Sequence, residues 1–308
     1  MKWKRAKGRK DRDVIDIRGA AQPTGGSGGG GLVLPGGIAG LGGGAGIIVV
    51  IVIIAIQAFG GGGTAGGFDI NSAFGTGVQA PGADDPAPIP PDQDPQRDLK
   101  EFSVYVFNDV QQTWASILDE EGDKYERAQL VLYSGAVSTG GCGGATAAAG
   151  PFYCPADSRV YLDLSFYEEM QRQLGAPGDL AWAYVIAHEV GHHIQSLLGT
   201  NDEVDGLTRD DPDRANELSV RTELQADCYA GVWAATVFAE GDLEAGDIDE
   251  AFTATEAVGD DRLARDAGRR INPDTLTHGT SEQRRKWFDA GYSSGDPASC
   301  DTFSPDSV

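Results

Sequence analysis

Apolar residues recur at helical spacing in two stretches of the chain. Between Val104 and Leu118 they fall about one turn apart, which predicts an amphipathic helix. From Pro177 to Gly199 they lie almost all round the helical wheel, which predicts a buried helix. Asp179 is a candidate N-cap of this second helix, and the helix is expected to end at Gly199.

The rest of the pattern favours a small sheet before the buried helix and further helices after it. Gln129–Ser138 and Arg159–Phe166 run apolar or alternate, with β-branched residues, so they predict strands. A polar loop is expected at residues 200–211. Three helical segments are predicted after it, at Asp211–Glu240, Ile248–Ala267 and Ser281–Ala290. This order of elements predicts an α+β fold.

An uncharged apolar run stands near the N-terminus. Ile47–Phe59 has thirteen such residues, and extension back through Gly36 reaches the length of about 20 that a membrane span needs. A retained single-helix anchor at residues 32–60 is therefore expected, with a cleaved signal peptide as the alternative. Gly36, Gly40 and Gly44 are spaced four residues apart. This spacing either lets two anchor helices dimerise or has no role beyond the usual glycine content of membrane helices.

Charge is distributed unevenly along the chain. Residues 1–18 carry eight Lys or Arg against three Asp, whereas the whole chain has a formal charge of −23. The positive-inside rule then assigns residues 1–31 to a cytoplasmic tail and the body to the outside of the cell. Residues 61–97 read as a Gly/Pro-rich linker, and residues 98–308 as the folded domain. The acidity of this domain argues against nucleic acid as a partner, and otherwise fits a solvated surface.

The four cysteines all lie in this domain. An even number outside the cell favours disulfides, and four cysteines permit three pairings. Cys142–Cys154 is favoured because the Gly- and Ala-rich segment between them can fold back, which leaves Cys228–Cys300. Zinc binding by the cysteines is the alternative, although the chain has no C-x-x-C pair.

Three of the four histidines stand in AHEVGHH, inside the predicted buried helix. Each helical residue turns by about 100°, so His188 and His192 lie on one face, one turn apart. Two imidazoles so placed can bind one zinc ion, with Glu189 beside them to take a proton from a water. Gly191 faces the same general side and would let another element pack closely, whereas His193 points elsewhere.

A third zinc ligand is needed from outside this motif. Gln195 and Leu198 stand where a third-histidine pattern requires Gly and His, so a carboxylate on a following helix is expected. Glu223 can reach the metal while Asp227, one turn further, accepts a hydrogen bond from a ligand histidine. Glu217 is a competing ligand.

A hydrolase also needs a group that stabilises the oxyanion of the tetrahedral intermediate. His278, Arg284 and Tyr153 are the candidates, and His278 is assigned the role. A lone loop histidine is otherwise ordinary polar surface.

These motifs resemble those of the bacterial neutral zinc metallopeptidases. The matching segments are MKWK, the glycine-rich lead into the apolar run, GPFYCPADSRVYLDLSF, AYVIAHEVGHHIQ, SVRTELQADCYAGVWA and HGTSEQRRKWF. The resemblance implies a zincin-like domain with His188, His192 and Glu223 as zinc ligands. It implies that Glu189 is the catalytic base and that Asp227 supports a ligand histidine. It also implies an edge strand that holds the substrate backbone, for which Arg159–Phe166 is the expected counterpart.

The sequence therefore predicts a membrane-anchored zinc endopeptidase, with one Zn²⁺ per chain, that cleaves peptides or proteins outside the cell. Two rival interpretations are a zinc-stabilised envelope protein that binds a partner without hydrolysis, and a structural module without metal. Glu189 favours an enzyme over both, because a purely structural site has no use for a base.

Overall fold

The computed structural model describes residues 1–3, 12–20, 80–268, 270–272, 275–304 and 308. In these residues a small sheet precedes a mostly helical half, so the predicted α+β class is confirmed. No helix in the described part of the chain is both long and apolar enough to cross a membrane. The predicted anchor at residues 32–60, with its spaced glycines, lies outside the described residues.

Four strands form a mixed sheet in the order β1, β2, β6, β5, and two more form a separate hairpin. The sheet strands are β1 (Val14–Asp16), β2 (Gln129–Tyr133), β5 (Phe152–Cys154) and β6 (Arg159–Asp163), and the hairpin strands are β3 (Ala136–Ser138) and β4 (Gly144–Thr146). The first three strands of the sheet are parallel, and β5 runs antiparallel to β6. The prediction that Arg159–Phe166 forms the edge strand is therefore wrong, because β6 is paired on both sides and β5 forms the edge.

The side chains of β2 and β6 alternate between two apolar clusters. One set faces the helices and comprises Leu130, Leu132, Val160 and Leu162. The other set packs under the β3–β4 hairpin and comprises Val131, Tyr133 and Tyr161. Gly135 adopts a positive φ of 77° between β2 and β3, which only glycine tolerates readily. The single strand predicted over 129–138 is thus two strands with a turn.

Eight α-helices occur in the described residues. They are α1 (Arg97–Glu121), α2 (Phe166–Arg172), α3 (Asp179–Leu197), α4 (Thr200–Asp210), α5 (Ala215–Glu240), α6 (Asp247–Ala257), α7 (Asp260–Asp266) and α8 (Ser281–Ser294). The predicted buried helix is α3, which packs against α1, α5 and α6. Helix α8 packs along α5.

The helical half departs from the sequence prediction at its boundaries. Residues 200–210 of the predicted loop form α4 instead, and the buried Val204 gives this polar segment an apolar contact. Gly178, not Asp179, precedes α3 as its N-cap. The carboxylate of Asp179 instead binds the α-ammonium of Met1 at 2.8 Å.

The segment predicted as one helix over 248–267 is divided into α6 and α7. Gly259 lies at the break, and a Cβ there would stand 2.3 Å from the backbone nitrogen of Ser281. The backbone at the start of α8 therefore occupies the space that a side chain at position 259 would need.

Both predicted disulfides are present. Cys142–Cys154 joins the β3–β4 turn to the end of β5. Cys228–Cys300 ties α5 to the short 3₁₀ turn at Pro297–Cys300. The second bond closes a separation of 72 residues, and by loop entropy it restricts the unfolded chain more than the first.

Parts of the predicted tail and linker belong to the folded domain. Ile17 is only 1% exposed, and its N–H donates to the carbonyl of Leu132 at 2.8 Å. Ala83 is likewise buried, and Gly82 forms a β-bridge with Ser138. The domain therefore includes chain on both sides of the predicted anchor.

Candidate functional site

The site lies where α3 crosses α5. A Cβ at Gly191 would stand 3.1 Å from the carbonyl oxygen of Ala226, so the glycine lets the two helices approach closely, as the sequence predicts. This contact brings His188 and His192 of α3 opposite Glu223 of α5. All three side chains are buried.

Three donor atoms converge at this crossing. Nε2 of His188 lies 3.0 Å from Nε2 of His192 and 3.2 Å from Oε2 of Glu223, and Nε2 of His192 lies 3.6 Å from the other oxygen of Glu223, Oε1. Ligands about 2.05 Å from a tetrahedral zinc stand about 3.3 Å apart. Neither oxygen of Glu223 has a hydrogen-bond donor in suitable geometry. Two imidazoles and a buried carboxylate at these separations fit a zinc ion.

The outward nitrogens of both histidines are held by oxygen acceptors. Nδ1 of His188 donates to Oδ1 of Asp227 at 2.8 Å, and Nδ1 of His192 donates to Oε1 of Gln195 at 2.7 Å. The amide of Gln195 is oriented by its Nε2, which donates to the carbonyl of Thr222. With both Nδ1 atoms carrying hydrogen, the Nε2 lone pairs face a common point.

Asp227 is itself fixed by two buried partners. Arg284 donates to both of its oxygens, at 2.8 and 2.9 Å, and the hydroxyl of Tyr184 donates to Oδ1 at 2.6 Å. Arg284 reaches this position from α8, which begins with a capping box between Thr280 and Gln283. The guanidinium of Arg284, one of the oxyanion candidates, is thus engaged by Asp227 on the Nδ1 side of His188.

Glu189 is fully buried beside the two histidines, and its carboxylate has no hydrogen-bond partner in suitable geometry. Burial raises its pKa to about 8, against an opposing effect of the His188 charge. The backbone N–H of Tyr153 also acts to lower this pKa, and β5 packs beside α3. A carboxyl group with a pKa near neutrality can both accept and return a proton.

The charges within the site oppose one another. Burial acts to lower the pKa of His188, but the carboxylates of Asp227 and Glu223 together raise it to about 9. Burial lowers the pKa of His192 to about 4, although Glu223 opposes this change. Burial acts to raise the pKa of Glu223, yet His188 and His192 hold it well below its usual range. The imidazoles and carboxylates of the site thus shift one another's pKa values in opposite directions.

His278 lies in the loop before α8, and its Nδ1 is 3.1 Å from Oδ1 of Asp260. The other oxygen of Asp260 accepts the backbone N–H groups of Thr277 and His278. Burial acts to lower the pKa of His278, but Asp260 and Glu223 raise it. Its charge in turn lowers the pKa of Glu223, so the two side chains interact electrostatically. Asp260 was not predicted, because no motif links it to a histidine 18 residues away.

The other predicted candidates lie outside the cluster of donors. Nδ1 of His193 is 3.1 Å from the hydroxyl of Tyr153, and its Nε2 bonds the carbonyl of Glu126. The hydroxyl of Tyr153 thus serves to tie β5 to α3. Glu217 pairs with Arg214 and Arg221 at a half-exposed position, so the structure does not place this competing ligand near the histidines.

Comparison with known proteins gives one family. A family model described as "Putative neutral zinc metallopeptidase" matches residues 1–303. The uncharacterized protein YpfJ of Escherichia coli strain K12 is 48% identical over 216 residues, which cover 70% of this chain and 74% of that protein. The uncharacterized protein Rv2575 of Mycobacterium tuberculosis is 45% identical over 212 residues, covering 65% and 69% respectively. No solved structure matches.

Proposed function

The chain belongs to this neutral zinc metallopeptidase family, and from that membership we propose that it hydrolyses peptide bonds with His188, His192 and Glu223 as zinc ligands. The observation that carries the proposal is the convergence of these three donors beside the unpartnered carboxyl group of Glu189. A zinc ion there supplies Lewis-acid chemistry, polarising the scissile carbonyl and acidifying a water. We further propose that the domain is zincin-like.

Glu189 is the general base and then the general acid. Its carboxylate accepts a proton from the attacking water as the new C–O bond forms. The same carboxyl group passes that proton to the amine nitrogen as the C–N bond breaks. Burial favours this cycle, because it raises the pKa of Glu189 above the ordinary value of a glutamate.

Asp227 and Gln195 orient the two ligand rings. Each accepts from an Nδ1–H and so keeps the corresponding Nε2 available for the metal. Arg284 acts one step further out, since its two hydrogen bonds hold the carboxylate of Asp227 in place.

His278 stabilises the oxyanion that forms on the scissile carbonyl. Its raised pKa favours the cationic form, which can donate to a negative oxygen. Asp260 is a positioning residue, because it holds Nδ1 and so fixes the ring. The edge strand β5 is the proposed binding site of the substrate backbone, since it is antiparallel to its neighbour and packs beside α3.

We also propose that the retained apolar segment at residues 32–60 attaches the protein to a membrane, with the domain outside the cell. Two features support this proposal: the length of the uncharged run with its glycine-rich lead, and the two disulfides, which require an oxidising compartment.

The decisive experiment compares wild type with Glu189→Gln in the full chain. Metal content is measured by elemental analysis, and cleavage is followed on a diverse peptide library with and without a chelator. We expect about one zinc per chain in both proteins, and hydrolysis only in metal-loaded wild type. Equal hydrolysis by the variant would contradict the role of Glu189.

Two other outcomes support the rival functions. Full zinc occupancy without cleavage of any peptide by wild type would favour a zinc-stabilised envelope protein that binds a partner. A protein that folds identically and takes up no zinc would favour a structural module.

A further inference from the structure

The segment before the apolar run is built into the sheet of the domain. β1 pairs in parallel with β2, and its flanks are bonded at both ends. The N–H of Leu130 donates to the carbonyl of Asp13 at 2.7 Å, and the N–H of Ile17 donates to Leu132 at 2.8 Å. β2 would otherwise present an unpaired edge, so β1 completes the sheet.

The chain that follows the apolar run covers the other side of this segment. The N–H of Ala87 donates to the carbonyl of Asp16 at 2.9 Å, and the N–H of Gly19 donates to the carbonyl of Ala87 at 2.8 Å. A Cβ at Gly19 would stand 2.7 Å from that carbonyl oxygen, so the contact is close. Residues 16–18 are therefore buried between β2 and the segment around residue 87.

Buried charges depend on the same arrangement. Arg18 is 5% exposed, and its guanidinium binds Asp16 and Asp94 at distances from 2.6 to 3.1 Å. Lys100 of α1 also binds Asp16, at 2.7 Å. A buried guanidinium without its carboxylates is strongly unfavourable, so these ion pairs require both chain segments to fold together.

We propose that residues 12–20 and the peptidase domain stand on the same side of the membrane. A chain that crossed the bilayer once between residues 20 and 80 would leave β1 and β2 on opposite sides, where they could not pair. A second copy would not solve this, because its own residues 12–20 would also lie opposite its domain. The predicted separation of a cytoplasmic tail from an external domain is thus incompatible with the sheet.

The length of the apolar run agrees with this topology. Without its glycine-rich lead, Ile47–Phe59 has thirteen uncharged residues, fewer than the roughly 20 that a span needs, and runs of this length occur in interfacial or re-entrant segments as well as in core helices and signal peptides. The inference is independent of the metal site, since it rests on strand pairing and on the ion pairs around Arg18.

The test uses two full-length variants expressed in bacteria, Arg12→Cys and Asp213→Cys. Both positions are exposed, and the four native cysteines are all in disulfides. Intact cells are treated with a membrane-impermeant maleimide, with permeabilised cells as the reference and the unsubstituted chain as the background. We expect the two variants to react to the same extent in intact cells, whether both are labelled or both are protected.

Labelling of one variant with protection of the other would overturn the proposal. A second measurement shows whether β1 is docked in the full chain. Ile17→Ala in the detergent-extracted full chain should lower the unfolding temperature by about 5 °C or more, because it leaves a cavity in the core. Arg12→Ala, at an exposed position nearby, should leave it unchanged. An unchanged unfolding temperature for Ile17→Ala would contradict the proposal.

Discussion

Nδ1 of His188 donates to Oδ1 of Asp227 over 2.8 Å between two helices that are fully buried at this point. This contact determines which nitrogen of His188 faces the converging donors. It also explains why Arg284 is buried: its guanidinium balances the charge of Asp227 and holds both carboxylate oxygens. The orientation of one ring therefore depends on three helices, α3, α5 and α8.

Replacing Asp227 by Asn should weaken zinc binding by about 10- to 100-fold, which is the usual effect of losing a supporting carboxylate. The amide keeps the size of the side chain but loses the charge that polarises the Nδ1–H of His188. Zinc affinity is measured by competition with a chromophoric chelator. Asp213→Asn, at an exposed position, is the matched control and should bind as wild type. Wild-type affinity in Asp227→Asn would show that the contact does not tune the ligand.

Arg284→Met should be the more damaging change for folding. It leaves the carboxylate of Asp227 buried without its partner, which typically costs about 3–5 kcal/mol in the free energy of unfolding. Arg284→Lys keeps the charge but loses the planar fork that binds both oxygens, so we expect an intermediate loss. Chemical denaturation of the metal-free proteins measures both. A Met variant as stable as wild type would mean that the pair is not needed for the fold.

Glu223 and Glu217 stand on the same helix and provide a matched pair. Glu223→Gln should weaken zinc binding by more than about 100-fold, beyond the loss expected for a supporting residue. Glu217→Gln should have no effect on zinc, because Glu217 pairs with Arg214 and Arg221 at a half-exposed position. The same competition assay decides between them. Loss of zinc in Glu217→Gln but not in Glu223→Gln would reverse the assignment.

The helical spacing of the sequence was sufficient to predict the core of this site. His188 and His192 lie one turn apart with Glu189 beside them, and Glu223 and Asp227 lie one turn apart on α5. Local geometry fixes such pairs before any tertiary contact forms. Gly191 predicted the close helix crossing for the same reason, since its position on the motif's face is set by the helix alone.

Contacts between distant segments that carry no cysteine pair or ligand motif could not be predicted from one sequence. Asp260 at the start of α7 meets His278 in the loop before α8, and Arg284 reaches Asp227 across 57 residues of chain. β1 has three residues, too few for an alternating pattern, and its basic surroundings resembled a cytoplasmic tail. Its place in the sheet comes from pairing with β2, which no local signal reveals.

Asp16 should make the stability of the domain depend on pH. Burial acts to raise its pKa from the ordinary value of 3.8, but Arg18 and Lys100 lower it. A carboxyl group with a lowered pKa in the folded state stabilises the protein above that ordinary value, and the stabilisation is lost as the pH falls through the folded-state pKa. Asp16→Asn should therefore cost about 1–3 kcal/mol in unfolding free energy at pH 7, and the difference from wild type should shrink below about pH 4. Urea unfolding across this range measures it, and a difference that grows in acid would contradict the ion pair.

Variants of His278 and Asp260 test whether a residue that does not bind zinc stabilises the oxyanion. His278→Gln should lower kcat by about 10²- to 10³-fold, the usual effect of removing one such donor, with zinc content unchanged. Asp260→Asn should cause a smaller loss, because the ring remains but its Nδ1 partner is neutral. The separation of kcat from zinc content matters, since a residue that only supported the fold would lower both.

His193→Gln is an informative comparison, because it disturbs the hydrogen bond between β5 and α3. Its main effect should therefore be on KM. If His278→Gln keeps the kcat of wild type, the oxyanion is stabilised by the metal or by the backbone of β5, and the Asp260–His278 pair only organises the start of α8.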